Sequence, residues 1–368
     1  MRFIHFGCWN NGKCDIDLEE NGLSKTMKKL NEFVLTNFDI EFMIIAGDNY
    51  YSKKIDKQKN MITSDFLSGV KCLPKQTLKY VLLGNHEFDQ IMEDGKPTEM
   101  CHLLQTEKNI FNKLNNTIFF NNVTYRTFGK NTLIIMIDTT LYEEYDEYMK
   151  QKKDNPDFKF NSNDTCYKYL FLETDELDKK NPDITIEVLI ENQNRKIQEI
   201  INNYPTYNNI VISGHHPIIS VKLKKDKKDK IIKKINKTDS LLDMFTKLTN
   251  IDTKKIYYLC ADTHNYQVGN IIIIENSTIK LSINQIISGT GGAEQDLCIE
   301  EKDKITEIDN IKYIINECKN KYGFVVYDES SSGLDYQFIE CGAVLTGGYY
   351  DKYIKYKTKY IKLKNKYS

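Results

Sequence analysis

The chain has 368 residues with 40% hydrophobic and 11% aromatic content, which is enough to bury a full core and excludes a disordered chain. A net charge of −1 excludes a uniformly basic, nucleic-acid-binding body. The charge is uneven, because residues 349–368 hold seven Lys against one Asp.

Short apolar runs mark the predicted strands in chain order. They are "RFIHF" 2–6, "FMIIA" 42–46, "LKYVLL" 78–83, "TLIIMI" 132–137, "NIVIS" 209–213, "IYYLC" 256–260, "NIIII" 270–274 and "INQIIS" 283–288. "YGFVVYD" 322–328 and "LDYQFIE" 334–340 read as a late hairpin around "ESSSG". Residues 23–38 form a predicted helix with Leu23, Met27, Leu30, Val34 and Phe38 on one face, and residues 192–204 form another. Strands alternating with helices give an α/β layered fold, with strand-only pairing toward the C-terminus.

Two segments break the rhythm and read as charged insertions, 141–190 and 222–237, the latter with nine Lys against two Asp. They are solvated loops or, more sharply, a lid or docking surface for an anionic partner. After them, residues 346–368 form a basic tail in which Tyr353, Tyr356, Tyr360, Leu363 and Tyr367 keep a heptad spacing. This tail is expected to be an amphipathic helix that packs on the body or binds a protein partner, an anionic surface or nucleic acid.

The nine cysteines (8, 14, 72, 101, 166, 260, 298, 318 and 341) include no CxxC pair. Their odd number predicts a reducing compartment and no disulfide framework. The opening "MRFIHFGCWN" lacks a sustained apolar region, so no signal peptide and an intracellular location are expected. No run approaches the ~18 apolar residues that a membrane span needs.

Chemistry-bearing residues gather after the apolar runs. The exits read Gly7-Cys8-Trp9-Asn10, Gly47-Asp48-Asn49-Tyr50-Tyr51, Gly84-Asn85-His86-Glu87, Gly214-His215-His216-Pro217 and Ala261-Asp262-Thr263-His264-Asn265. Four of the six histidines lie there. Ligands in α/β sheets collect outside the carboxyl ends of strands, so these groups are expected to share one crevice. Asp, Asn, His and Tyr are hard or borderline donors suited to Fe, Mn, Zn or Mg. Any one exit alone is most simply a cap, a turn or a buried histidine; five together favour a metal site.

The order GDxxY, GNHE, GHxP, xxxHN resembles the purple acid phosphatases within the calcineurin-like metallophosphoesterases, most specifically at "GDNYY" and "GNHE". The resemblance runs from residue 2 to about 341 and implies a four-layer αββα sandwich of two mixed sheets across residues 1–345. It implies two metal ions (Fe, Zn or Mn) and hydrolysis of phosphate monoesters. Asp48 would bridge the ions, with Tyr51 and His264 on the first and Asn85 and His215 on the second. His86 would face the substrate phosphate as a catalytic residue, and His216 is a second catalytic candidate.

Two positions depart from that pattern. Cys8 stands where the family has a carboxylate on the first ion, and Asp262 where it has a histidine on the second. Cys8 as a thiolate suits Zn²⁺ or Fe²⁺; as a neutral thiol it leaves the first ion weak. Three readings stay open: a phosphoesterase with altered metal preference, a degenerate homologue that binds metal or phosphate without turnover, and an interaction protein. The tail is similar to Tyr/Lys-rich C-termini of giant DNA virus proteins, which implies a virus-encoded enzyme in host cytoplasm or virion.

Overall fold

The computed structural model describes residues 1–18, 21–51, 55–56, 61–62, 64–87, 97–119, 123–158, 185–225, 231–299 and 304–341. The first elements are β1 (Arg2–Phe6), α1 (Gly22–Thr36), β2 (Ile40–Ala46), β3 (Ile55–Asp56), β4 (Met61–Ile62), α2 (Ser64–Cys72) and β5 (Leu78–Leu82). Then come α3 (Pro97–Asn112), β6 (Thr117–Phe119), β7 (Thr124–Phe128), β8 (Thr132–Met136), α4 (Thr140–Asp154), α5 (Ile186–Asn203) and β9 (Asn209–Ser213). The chain continues with β10 (Ile219–Lys225), β11 (Ile231–Lys237), α6 (Asp239–Lys247), β12 (Lys255–Cys260), β13 (Tyr266–Glu275) and β14 (Thr278–Ser288). It closes with β15 (Ile305–Ile308), β16 (Ile311–Lys319), β17 (Gly323–Ser330) and β18 (Gly333–Glu340).

α1 forms where its apolar spacing is helical and Asn21 can cap it, accepting the Ser24 N–H at 2.9 Å. Leu23, Met27, Leu30 and Val34 are buried along one face. Phe38, expected on that face, lies beyond the helix end and is 78% exposed, because Asn37 turns extended. The apolar strands end up buried on both sides, as parallel strands must be when helices cover one face and a second sheet the other.

One sheet runs β18-β17-β1-β2-β5-β6 and the other β15-β16-β13-β14-β12-β9-β8-β7, both mixed. Their inner faces meet in a continuous core. Phe3 of β1 stacks on Phe42 and Tyr327 and meets Phe128 of the opposite sheet edge-on at 5.1 Å. Each such pair adds about 0.5–1.5 kcal/mol beyond burial. α1 and α3 cover the first sheet, while α4, α5 and α6 cover the second, with Phe245 of α6 edge-on to Tyr258 of β12. The expected αββα arrangement of two mixed sheets is what the chain adopts.

Some expectations change. The segment read as an insertion from 141 begins as α4, with Leu141, Tyr142 and Tyr148 buried. Residues 222–225 and 231–237 belong to β10 and β11, which pair antiparallel. Residues 159–184 and 226–230 and the tail from 342 lie outside the described residues. The expectation of no disulfide framework is overturned, since Cys14–Cys72 and Cys298–Cys318 are disulfides. Pairs 58 and 20 residues apart leave no spacing signature, and folding alone brings their Cα atoms to 6.6 and 5.8 Å.

Candidate metal centre

β1, β2 and β5 are parallel neighbours in one sheet, and β9 and β12 in the other. Their carboxyl ends meet at the seam between the sheets. The Cys8 N–H donates to Gly47 O at 3.1 Å, and the Ala261 N–H to His215 O at 2.8 Å. Cys8, Asp48 and Asp262 each follow a small residue and each take a left-handed backbone, with φ of 52°, 53° and 50°. Such strain costs about 1–3 kcal/mol per residue and gathers at functional sites. Three ligand-type side chains share one strained turn geometry.

Two glycines make the close approach possible. A Cβ on Gly47 (φ +76°) would lie 2.6 Å from His215 Nδ1, and one on Gly84 would lie 2.5 Å from Asp48 Oδ1. Behind them Glu87 ties the β2 and β5 exits together. Its carboxylate accepts N–H bonds from Gly84 at 2.5 Å, Asp48 at 3.2 Å and Asn49 at 2.6 Å. Asn49 in turn accepts the Trp9 indole N–H at 3.0 Å, joining the β1 exit.

Asp48 stands at the centre. Its Oδ1 is 3.2 Å from His215 Nε2, and its Oδ2 accepts the Tyr51 phenol at 3.2 Å. Asn85 Oδ1 also lies 3.2 Å from His215 Nε2. Two donor clusters result among the described residues, one of Cys8, Asp48 and His215 and one of His215, His216 and Asp262, with donor atoms within 4.8 Å of one another in each. His86 lies at the rim, with its ring 4.6 Å from that of Tyr51 and its Nε2 4.0 Å from Asp48 Oδ2. His264 is in neither cluster. Its ring is 6.3 Å from that of Tyr51, with Nδ1 2.7 Å from Glu294 O. Its N–H donates to Asp296, which also binds Lys222.

The electrostatics follow from burial and from Asp48. Burial raises the Asp48 carboxyl, but the charge and hydrogen bond of His215 outweigh it and hold the group below the usual carboxylate range. Burial lowers His215, and Asp48 more than reverses that. Burial, then the charges of Asp48 and Asp262, pushes the Cys8 thiol well up, so without an ion it keeps its proton. Tyr51 is likewise pushed up by burial and Asp48, and stays a phenol.

His216, 3% exposed, has its Nδ1 3.1 Å from Thr139 Oγ1 and its Nε2 2.8 Å from Glu143 Oε2. Burial opposes its charge, but Glu143 raises it to about 9. His216 in turn draws Glu143 down to about 2. Sequence reasoning missed Thr139 and Glu143. The signal was available: "DTT" follows the apolar run 132–137, a sixth strand exit of the same kind.

The donor types fit metal ions. Ligand atoms about 2.0–2.2 Å from one ion are about 3 Å apart, the spacing seen around Asp48 and His215. Among the described residues, Asp48 and His215 with Cys8 could hold one ion. His215, His216 and Asp262 could hold a second, while Tyr51 touches Asp48 and His264 lies outside both clusters.

The sequence profile of the calcineurin-like phosphoesterase family matches residues 1–264. The chain belongs to that family. The matched span includes Cys8, Asp48, Asn85, His215, Asp262 and His264. Comparison with curated proteins found no sequence match. Among solved structures, Plasmodium GAP50, described as the anchor in the inner membrane complex, is similar at 13% identity and a TM-score of 0.48, over 93% of this chain and 85% of that one. PhoD is similar at 12% identity and a TM-score of 0.46, over 100% and 78%. Among the described residues, no helix is long and apolar enough to cross a membrane.

Proposed function

We propose that residues 1–345 form a metal-dependent phosphoesterase of the purple acid phosphatase type, acting on phosphate monoesters at a dinuclear site with two altered ligands. The observation that carries this reading is the placement of Asp48, whose two oxygens face different donors, His215 on one side and Tyr51 on the other. A carboxylate so placed is suited to bridging two ions. Bound metal ions would polarise the phosphoryl group and supply a nucleophile near neutral pH.

The chain's own residues supply the rest. Asp48, Asn85, His215 and Asp262 hold one side of the centre, and Cys8, Tyr51 and His264 the other. Glu87 keeps the β2 and β5 exits in register, so the ligands are preorganised. His86, with 32% of its side chain exposed beside Asp48, can reach an incoming phosphate and give a proton to the leaving oxygen. His216 is buried beside His215 and held in place by Glu143.

A second reading rests on Cys8. A buried thiol stands where the family pattern has a carboxylate, which favours a homologue that binds one ion or phosphate without turnover. The tail, residues 346–368, is proposed as a separate binding segment for a protein partner, an anionic surface or nucleic acid.

Metal content of purified protein, with aryl phosphate hydrolysis after adding Zn²⁺, Mn²⁺ or Fe²⁺ to metal-free protein, tests the proposal. Two ions with metal-dependent turnover support it. One ion without turnover supports the second reading, and no metal binding overturns both.

A further inference from the structure

The segment after β9 leaves regular structure just where it must present two histidines. Its peptide N–H groups at His215 and His216 are buried, with the residues 0% and 3% exposed. A buried N–H without an acceptor costs about 1–3 kcal/mol. Both find one acceptor, the hydroxyl of Thr139. His215 N and His216 N each donate to Thr139 Oγ1 at 2.9 Å. The same oxygen lies 3.1 Å from His216 Nδ1.

The packing around this hydroxyl is as close as its bonding. A Cβ on Gly214 would lie 2.2 Å from Thr139 Cγ2, so the threonine sits directly against the turn. Thr139 is itself held from behind. Asp138 exchanges backbone bonds with the Gln193 amide of α5, donating N–H to Oε1 at 3.1 Å and accepting from Nε2 at 2.8 Å. On the far side of the turn, Tyr258 of β12 donates its hydroxyl to His216 O. The β8 exit, the β9 exit and β12 are thus fastened at one point, beside the Asp48–His215 contact.

We infer that Thr139 is a positioning residue of the metal centre: its hydroxyl holds the His215–His216 peptide so that His215 Nε2 meets Asp48 and Asn85. This rests on the assignment of His215 as a ligand in the proposed function. The hydroxyl, rather than the bulk of the side chain, carries the effect. Valine has the same shape but no acceptor, so two buried N–H groups would be left bare and the turn would shift to reach water. Serine keeps the acceptor and loses only a methyl group.

The experiment compares Thr139→Val and Thr139→Ser with the unmodified protein, using Zn²⁺ titration and amide hydrogen exchange at His215 and His216 in metal-free protein. In Thr139→Val, the tighter ion should bind about 10–100-fold more weakly, the range seen when a group supporting a metal ligand is lost. The two amides should also exchange faster. Thr139→Ser should stay within about threefold of the parent on both readouts. Unchanged exchange and affinity in Thr139→Val would overturn the inference, as would equal damage in Thr139→Ser, which would trace the effect to packing. If the parent binds no Zn²⁺, the proposed function fails, while the exchange rates still decide the role of Thr139.

Discussion

His215 Nδ1 lies 2.6 Å from the carbonyl oxygen of Ala46, a contact that joins the end of β9 in one sheet to the end of β2 in the other. The carbonyl can only accept, so Nδ1 donates to it and Nε2 is the ring nitrogen turned toward Asp48 and Asn85. A backbone group thereby fixes the ring orientation of a proposed metal ligand. His215→Ala should remove the ion on that side and leave the fold intact, measured as metal per chain after dialysis. Unchanged metal content would refute the assignment.

His86 separates binding from turnover. Its ring comes no nearer Asp48 than 4.0 Å at Nε2, although its backbone N–H donates to Asp48 Oδ1 at 3.3 Å, and its side chain is partly exposed. His86→Ala should keep the metal content and lower turnover by about 10²–10⁴-fold, as for loss of a general acid. Steady-state kinetics alongside elemental analysis check this; loss of metal would make His86 a ligand instead.

Cys8 is the weak point of the proposed centre. In the metal-free chain burial and the neighbouring carboxylates push its thiol well up, and it lacks the fixed charge of a carboxylate. Cys8→Asp should tighten that ion and raise phosphatase activity. The opposite result, weaker Zn²⁺ binding, would mean that the ion draws the thiolate out as a ligand. Calorimetric titration distinguishes the two.

His5 predicts the acid behaviour of the fold. It is fully buried between the sheets, with Nδ1 2.6 Å from Ser288 Oγ, and burial lowers its pKa to about 3. Unfolded, it titrates near 6.5. Protonation therefore favours the unfolded chain: the stabilisation is complete above about pH 6.5 and is lost as pH falls toward about 3. His5 alone should contribute a slope of about 1.4 kcal/mol per pH unit across that window. Denaturant unfolding of metal-free His5→Gln at several pH values should show that slope reduced; the same slope as the parent would place the titration elsewhere.

The disulfide Cys14–Cys72 links the loop after β1 to the end of α2 across 58 residues. Removing a bridge of such length costs about 2–4 kcal/mol. Cys14→Ser should lower the unfolding midpoint accordingly, and thiol counting on denatured, unreduced protein should find Cys14 and Cys72 blocked. Free thiols at both positions with unchanged stability would contradict the bridge.

The periodicities determined the elements they were strong enough to mark. β1, β2, β5, β8, β9 and β12 fall within a few residues of their apolar runs, because a strand buried on both faces needs an unbroken apolar sequence, and the β17–β18 hairpin falls as near to its own runs. The small residue and ligand-type side chain at each exit were legible for the same local reason. Elements that bury less were silent: β10 and β11 carry lysines along much of their length, and α4 is mostly charged. Contacts between distant residues were beyond the sequence altogether. Only the closing of one sheet on the other decided that Ala46 would fix His215 and that Glu143 would meet His216. Only the fold decided that Cys14 would bond Cys72. Local patterns record which residues are buried, whereas their partners depend on how the layers are brought together.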